Sequence, residues 1–193
     1  MVSSLVPNAH ISEVILTPAS DMEASSDDPR KELDSHTNMV VLRSKSFVFE
    51  QNGRICNVIQ PFRSNLFVAK EVPIIDRALA YDCTYTGEVY ALVIRNALHV
   101  PSMEHNMIPT FITRAGRVIV NDVPKIPCEY PVADNHCVSF DHSDLRIPSQ
   151  LNGVFSCFHT RVTTEIGINE CEMVFVTPDT SDLKPHSQSY ERN

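Results

Sequence analysis

A mainly β fold is predicted by three features of this 193-residue sequence. Short runs rich in Val, Ile, Phe and Tyr recur between turn-forming residues, and residues 89–94 are apolar throughout. Clear helical spacing is confined to one stretch, where Ile108, Phe111 and Ile112 recur. A 42% hydrophobic share without Trp predicts a modest core, enough for one domain with tails.

In chain order, residues 11–16 alternate briefly before Pro18, and residues 20–30 are dominated by Ser, Asp and Glu. That composition cannot bury enough apolar surface to offset ordering entropy, so residues 1–31 are read as an N-terminal segment and disordered linker. Strands are expected at 39–42, 47–49 and 56–59, with Gln51-Asn52-Gly53 as a hairpin-like turn. Two longer strands follow at 72–81 and 89–100, the second apolar enough to be covered on both faces. A short helix comes next, with Pro109 in its first turn and Gly116 as the residue just past its end. Beyond it, strands are expected at 117–120, 138–140 and 154–158. Residues 165–172 fit helix or strand, and residues 178–193 read as a disordered tail.

Charge and cysteine use narrow the function. The net charge is -8 and no Lys/Arg cluster is present, which argues against nucleic-acid binding by this segment. Six cysteines at irregular intervals form no CxxC pair, and no secretory h-region is visible, so reduced thiols in the cytoplasm are expected. No apolar run approaches membrane-spanning length, so no membrane partner is expected. His136, Cys137, His142 and Asp144 lie close in sequence, but their spacing matches no zinc pattern and no metal is expected. A cysteine nucleophile paired with a histidine finds no thiol in a suitable local context.

The remaining candidate is Leu33-Asp34-Ser35-His36-Thr37, a carboxylate in a polar segment just before an apolar strand. Read locally, Asp34 or Ser35 is a turn residue offering side-chain oxygens to backbone N–H groups. A second block, Leu98-His99-Val100-Pro101-Ser102-Met103-Glu104-His105-Asn106-Met107-Ile108, is more distinctive. In this order the two blocks resemble the protease region of copia-type retrotransposon polyproteins, whose motifs read Asp-Ser/Thr-Gly-Ala/Thr and L-Y-V-P-x4-N-L-L. The intervening Ala80-Tyr81-Asp82-Cys83-Thr84-Tyr85-Thr86-Gly87 and the later Val120-Asn121-Asp122-Val123-Pro124-Lys125-Ile126 are similar to the same region. The resemblance covers about residues 32–158.

The resemblance implies a retropepsin-like fold over 32–116: a small, partly closed β barrel with one short helix. A Pro-rich β extension over 117–177 is expected either to add strands to it or to pack on its face. It also implies an aspartic endopeptidase with Asp34 as the catalytic residue and Ser35, His36 and Thr37 in the supporting loop. One carboxylate per chain requires a second copy of the chain, a homodimer, with a polypeptide substrate and neither metal nor cofactor. A flap is implied at Phe62-Arg63-Ser64-Asn65, or at Tyr85-Thr86-Gly87. His36 stands where the family has Gly, which leaves a second reading open: a degenerate domain that keeps the fold without hydrolysis. A third is an unrelated all-β binding domain.

Overall fold

Residues 69–99 are dominated by Val, Ile, Leu, Ala and Tyr, and they fold into the longest strand pair of the molecule. The structure is a computed structural model that describes residues 9–11, 30–34, 37–43, 47–50, 55–61, 69–101, 103, 105–123, 130 and 132–179. Its strands are β1 (Ala9–Ile11), β2 (Arg30–Asp34), β3 (Val41–Leu42), β4 (Phe47–Glu50), β5 (Ile55–Pro61), β6 (Ala69–Asp82), β7 (Val89–His99) and β8 (Asn106–Pro109). Helix α1 (Thr110–Ala115) and β9 (Val118–Asn121) follow, then a 3-10 turn, Ala133–His136. The chain continues through β10 (Cys137–Phe140), β11 (Arg146–Pro148), β12 (Gln150–Asn152), β13 (Phe155–His159), α2 (Glu165–Asn169) and β14 (Glu172–Phe175).

The mainly β class is as expected. Among the described residues, eleven strands form one sheet along the path β1-β5-β6-β7-β3-β8-β2-β13-β12, with β14 on β7 and β4 on β6. Strands β11, β10 and β9 make a second, three-stranded sheet. The path of the large sheet has two separate ends, so no closed barrel forms among the described residues. Two short α-helices are present where one was expected, because residues 165–169 resolve their ambiguity as α2. Thr164 caps α2, its hydroxyl accepting from the Gly167 N–H at 3.3 Å.

Strand β7 is buried on both faces, as its sequence demands. Tyr90, Leu92 and Ile94 face the main core with Leu33, Ile108 and Phe158, while Ala91 and Ala78 meet Ile168 of α2 on the other side. Small side chains at Ala78 and Ala91 let that helix approach the sheet. Beside these, β14 and β3 lie in line along the free edge of β7, both parallel to it.

Several local expectations are revised. Strand β2 begins at Arg30, inside the segment read as linker. Gln51-Asn52-Gly53 lies outside the described residues, and the strands flanking it do not form a hairpin with each other. Instead β4 and β5 both pair antiparallel with successive parts of β6, along the same edge. Gly116 has φ −76, so the left-handed position after α1 falls on Arg117 at φ 61. Space at 116 is tight: a Cβ there would sit 3.1 Å from the backbone at Thr177 and Pro178. The extension over 117–177 contributes β12, β13 and β14 to the large sheet, while Val118, Val120, Val138 and Ile147 of the smaller sheet join the main core.

Candidate functional site

Asp34 is the last residue of β2, and the topology around it is unusual. Strand β2 runs parallel to β8 with Lys31↔Asn106, Glu32↔Met107, Leu33↔Ile108 and Asp34↔Pro109 in register. Strand β3 pairs antiparallel with the opposite edge of β8, Val41↔Met107. Strands β2 and β3 therefore flank β8 on its two edges, although they are consecutive in the chain. This is a ψ arrangement, in which a third strand lies between two consecutive ones that do not pair as a hairpin.

A polar side chain holds the three strands together. Asn106 is fully buried; its amide Nδ2 donates to the Arg30 carbonyl at 3.1 Å and its Oδ1 accepts from the Arg43 N–H at 3.0 Å. One side chain thus ties β8 to the start of β2 and to the end of β3. Strand β3 is fixed to β7 by Leu98 N–H to Val40 C=O at 2.8 Å and Val100 N–H to Leu42 C=O at 3.0 Å. Near Asn106, Arg30 reaches His105 Nδ1 at 2.6 Å, which links β2 to the residue before β8, and Glu32 of its own strand at 3.3 Å.

Alternation along β2 puts Leu33 in the main core with Ile108 and Phe158, and turns Asp34 to the opposite face. Asp34 is 9% exposed. Thr37, further along the loop, is buried, and among the described residues its hydroxyl has no hydrogen-bond partner. Ser35 and His36 lie outside the described residues. The structure thus places Asp34 at the start of the connection from β2 to β3 and Thr37 within it.

The candidate flap segments separate clearly. Phe62-Arg63-Ser64-Asn65 lies outside the described residues, between β5 and β6, which pair antiparallel up to Ile59↔Ala69. Tyr85-Thr86-Gly87 forms a tight turn between β6 and β7, closed by Cys83 N–H to Glu88 C=O at 2.8 Å and Gly87 N–H to Cys83 C=O at 2.9 Å. Carrying the register across β8 and β3 sets Asp34 level with Asn96. From there back to Val89 is about 23 Å at ~3.3 Å per residue, so this turn does not overlie Asp34.

Strand β10 separates His136 and Cys137 at its start from His142 and Asp144 beyond its end, and its own length is about 10 Å at ~3.3 Å per residue. Among the described residues, no group of three or more His, Cys, Asp or Glu gathers to hold a metal ion. His136 is instead buried against Ser156, Nε2 to Oγ 2.8 Å. Sequence reasoning missed this pair, since the two residues are brought together only by the packing of the 3-10 turn on β13. Both residues are buried. His142 and Asp144 line a polar depression with Glu88 and Glu172.

His99 ends β7, opposite Leu42. Burial, and secondarily the Arg77 guanidinium, hold its pKa below the usual histidine value. The unfolded chain therefore binds a proton that the folded chain resists. Stability is expected to be level above about pH 6.5 and to fall as pH drops through that value toward the lowered one. Urea unfolding at about pH 7.5 and 5.5 should show this loss, and His99→Gln should reduce it.

A comparison with protein-family models finds no match, and comparisons with curated protein sequences and with solved structures find none either. Among the described residues, no helix is long and apolar enough to cross a membrane.

Proposed function

We propose that this chain is a retropepsin-like aspartic endopeptidase of copia-type retrotransposon descent, cutting the polyprotein from which it derives and active only as a homodimer. The observation that carries the reading is the ψ arrangement, with Asp34 at the start of the connection from β2 to β3. A carboxylate at the end of a strand that pairs with β8 on one side and β13 on the other is rigidly aimed. The retropepsin-like reading of the sheet belongs to the same proposal. It is supported by the antiparallel β5–β6 pair, placed where the family carries its flap. A cytoplasmic setting belongs to the same proposal; among the described residues, Cys83, Cys137, Cys157 and Cys171 form no disulfide.

The chemistry follows from the pairing. Two carboxylates facing each other across a two-fold axis cannot both ionise, so they share one proton. The ionised Asp34 takes a proton from a water, and the water oxygen attacks the scissile carbonyl carbon. The protonated Asp34 of the other copy hydrogen-bonds the carbonyl oxygen as negative charge develops there. Return of a proton to the leaving amine completes cleavage. Sedimentation across a concentration series, with a mixed peptide library assayed between about pH 4 and 7, tests the proposal. A dimer that cleaves supports it, and a folded monomer without cleavage contradicts it.

The second reading, a fold kept without hydrolysis, is favoured by His36. At that position two active-site loops approach each other in the family, and Gly allows it by lacking a Cβ. Replacing His36 by Gly is expected to raise cleavage by roughly tenfold or more, because it relieves that crowding. Unchanged cleavage in the same peptide assay would place His36 away from the paired loops.

A further inference from the structure

Among the strands that the extension adds, the β12–β13 hairpin stands nearest Asp34. Strand β13 pairs antiparallel with β2 up to Ser156↔Leu33, so Phe155 stands one position further, beside Asp34. Strand β12 pairs in turn with β13, Asn152↔Phe155, and Gly153-Val154 form the two-residue tip. Gly153 has φ +60, the left-handed start that such tight hairpins require at their first central residue. The tip therefore projects at the same end of the sheet as Asp34.

This tip is apolar and uncovered. Val154 is 86% exposed, Phe155 46% and Leu151 38%. Strand β12 ends the sheet path, and among the described residues its outer edge is unpaired. An apolar edge of this kind invites association.

Distance identifies the occupant. For two Asp34 carboxyls to share a proton, their oxygens must approach within about 3 Å, which sets each Asp34 backbone a few ångströms from the two-fold axis. Neighbouring strands are about 4.8 Å apart, so Phe155 lies within about 10 Å of that axis and Val154 within about 15 Å. An interface of ordinary size, about 800 Å² per partner, is a disc of roughly 16 Å radius.

We infer that the β12–β13 hairpin tip, Val154 and Phe155, is part of the surface by which two copies of this chain meet. This rests on the homodimer reading above and adds to it a segment from the C-terminal extension.

The test is sedimentation of the full chain beside peptide cleavage, with V154D/F155D as the variant. Tyr85→Asp is the control: it alters an exposed side chain, at 62% exposure, on the turn remote from Asp34. Both altered regions are exposed, and circular dichroism confirms that each variant folds. The hairpin variant is expected to weaken dimerisation at least tenfold, with cleavage per chain lost at low concentration and recovered at high concentration. The control should match wild type. A hairpin variant that dimerises like wild type overturns the inference while leaving the homodimer reading intact; a changed peptide preference in that case would assign the tip to the substrate cleft. A wild-type chain that is monomeric at every concentration overturns both.

Discussion

Asp34→Asn is expected to abolish peptide cleavage, a fall of at least about a thousandfold in kcat/KM, while leaving fold and dimerisation unchanged. The size of the effect comes from the pairing. Each dimer loses both carboxylates at once, so neither a base for the water nor an acid for the carbonyl remains. Asparagine is nearly isosteric, and at the end of β2 it keeps the backbone pairing of Leu33 with Ile108 and Ser156. Stability should therefore shift by less than about 1 kcal/mol. Cleavage retained by the variant would remove Asp34 from the chemistry, whatever the topology around it.

The second large effect is expected at a residue remote from any bond-making. Asn106→Ala should destabilise the chain by about 2–4 kcal/mol in urea unfolding, because two hydrogen bonds of a fully buried amide disappear together. The backbone groups it served, the Arg30 carbonyl and the Arg43 N–H, lie at the two strand ends that flank β8. Asn106→Asp should cost more, since a carboxylate cannot donate to the Arg30 carbonyl and carries a charge into a buried site. Cleavage should fall further than stability alone explains in both variants, since the ψ arrangement aims Asp34. A cost below about 0.5 kcal/mol would show that the strands hold together without the clip.

The long strands were legible because their signal is local. Val, Ile and Tyr crowd residues 72–81 and 89–100, and β6 and β7 lie there. Helix α1 was found from the recurrence of Ile108, Phe111 and Ile112, yet Ile108 belongs to β8, and the helix starts only at Thr110. Periodicity does not separate these, since a strand running straight into a helix leaves both Ile108 and Ile112 buried in one core. The parallel pairing of β2 with β8 joins residues more than seventy positions apart, and no short-range pattern encodes it.

Turn chemistry misled in one place and was overlooked in another. Gln51-Asn52-Gly53 suggested a hairpin whose flanking strands instead line one edge of β6. Gly153-Val154 does form a two-residue hairpin loop, and a Gly at the first central position was present in the sequence. Of the candidate site, Asp34 and the importance of the Asn106 block came from resemblance. The reason for that asparagine, an amide shared between two strands, became visible only with the fold.

The most direct test of one catalytic carboxylate per chain is a mixing experiment. Wild-type and Asp34→Asn chains are combined at equal concentration, allowed to exchange partners, and assayed on a cleavable peptide. If the site needs Asp34 from both copies, only about a quarter of the dimers are active, and activity follows the square of the wild-type fraction. Activity that tracks the wild-type fraction linearly would contradict the shared site, because each chain would then be sufficient alone.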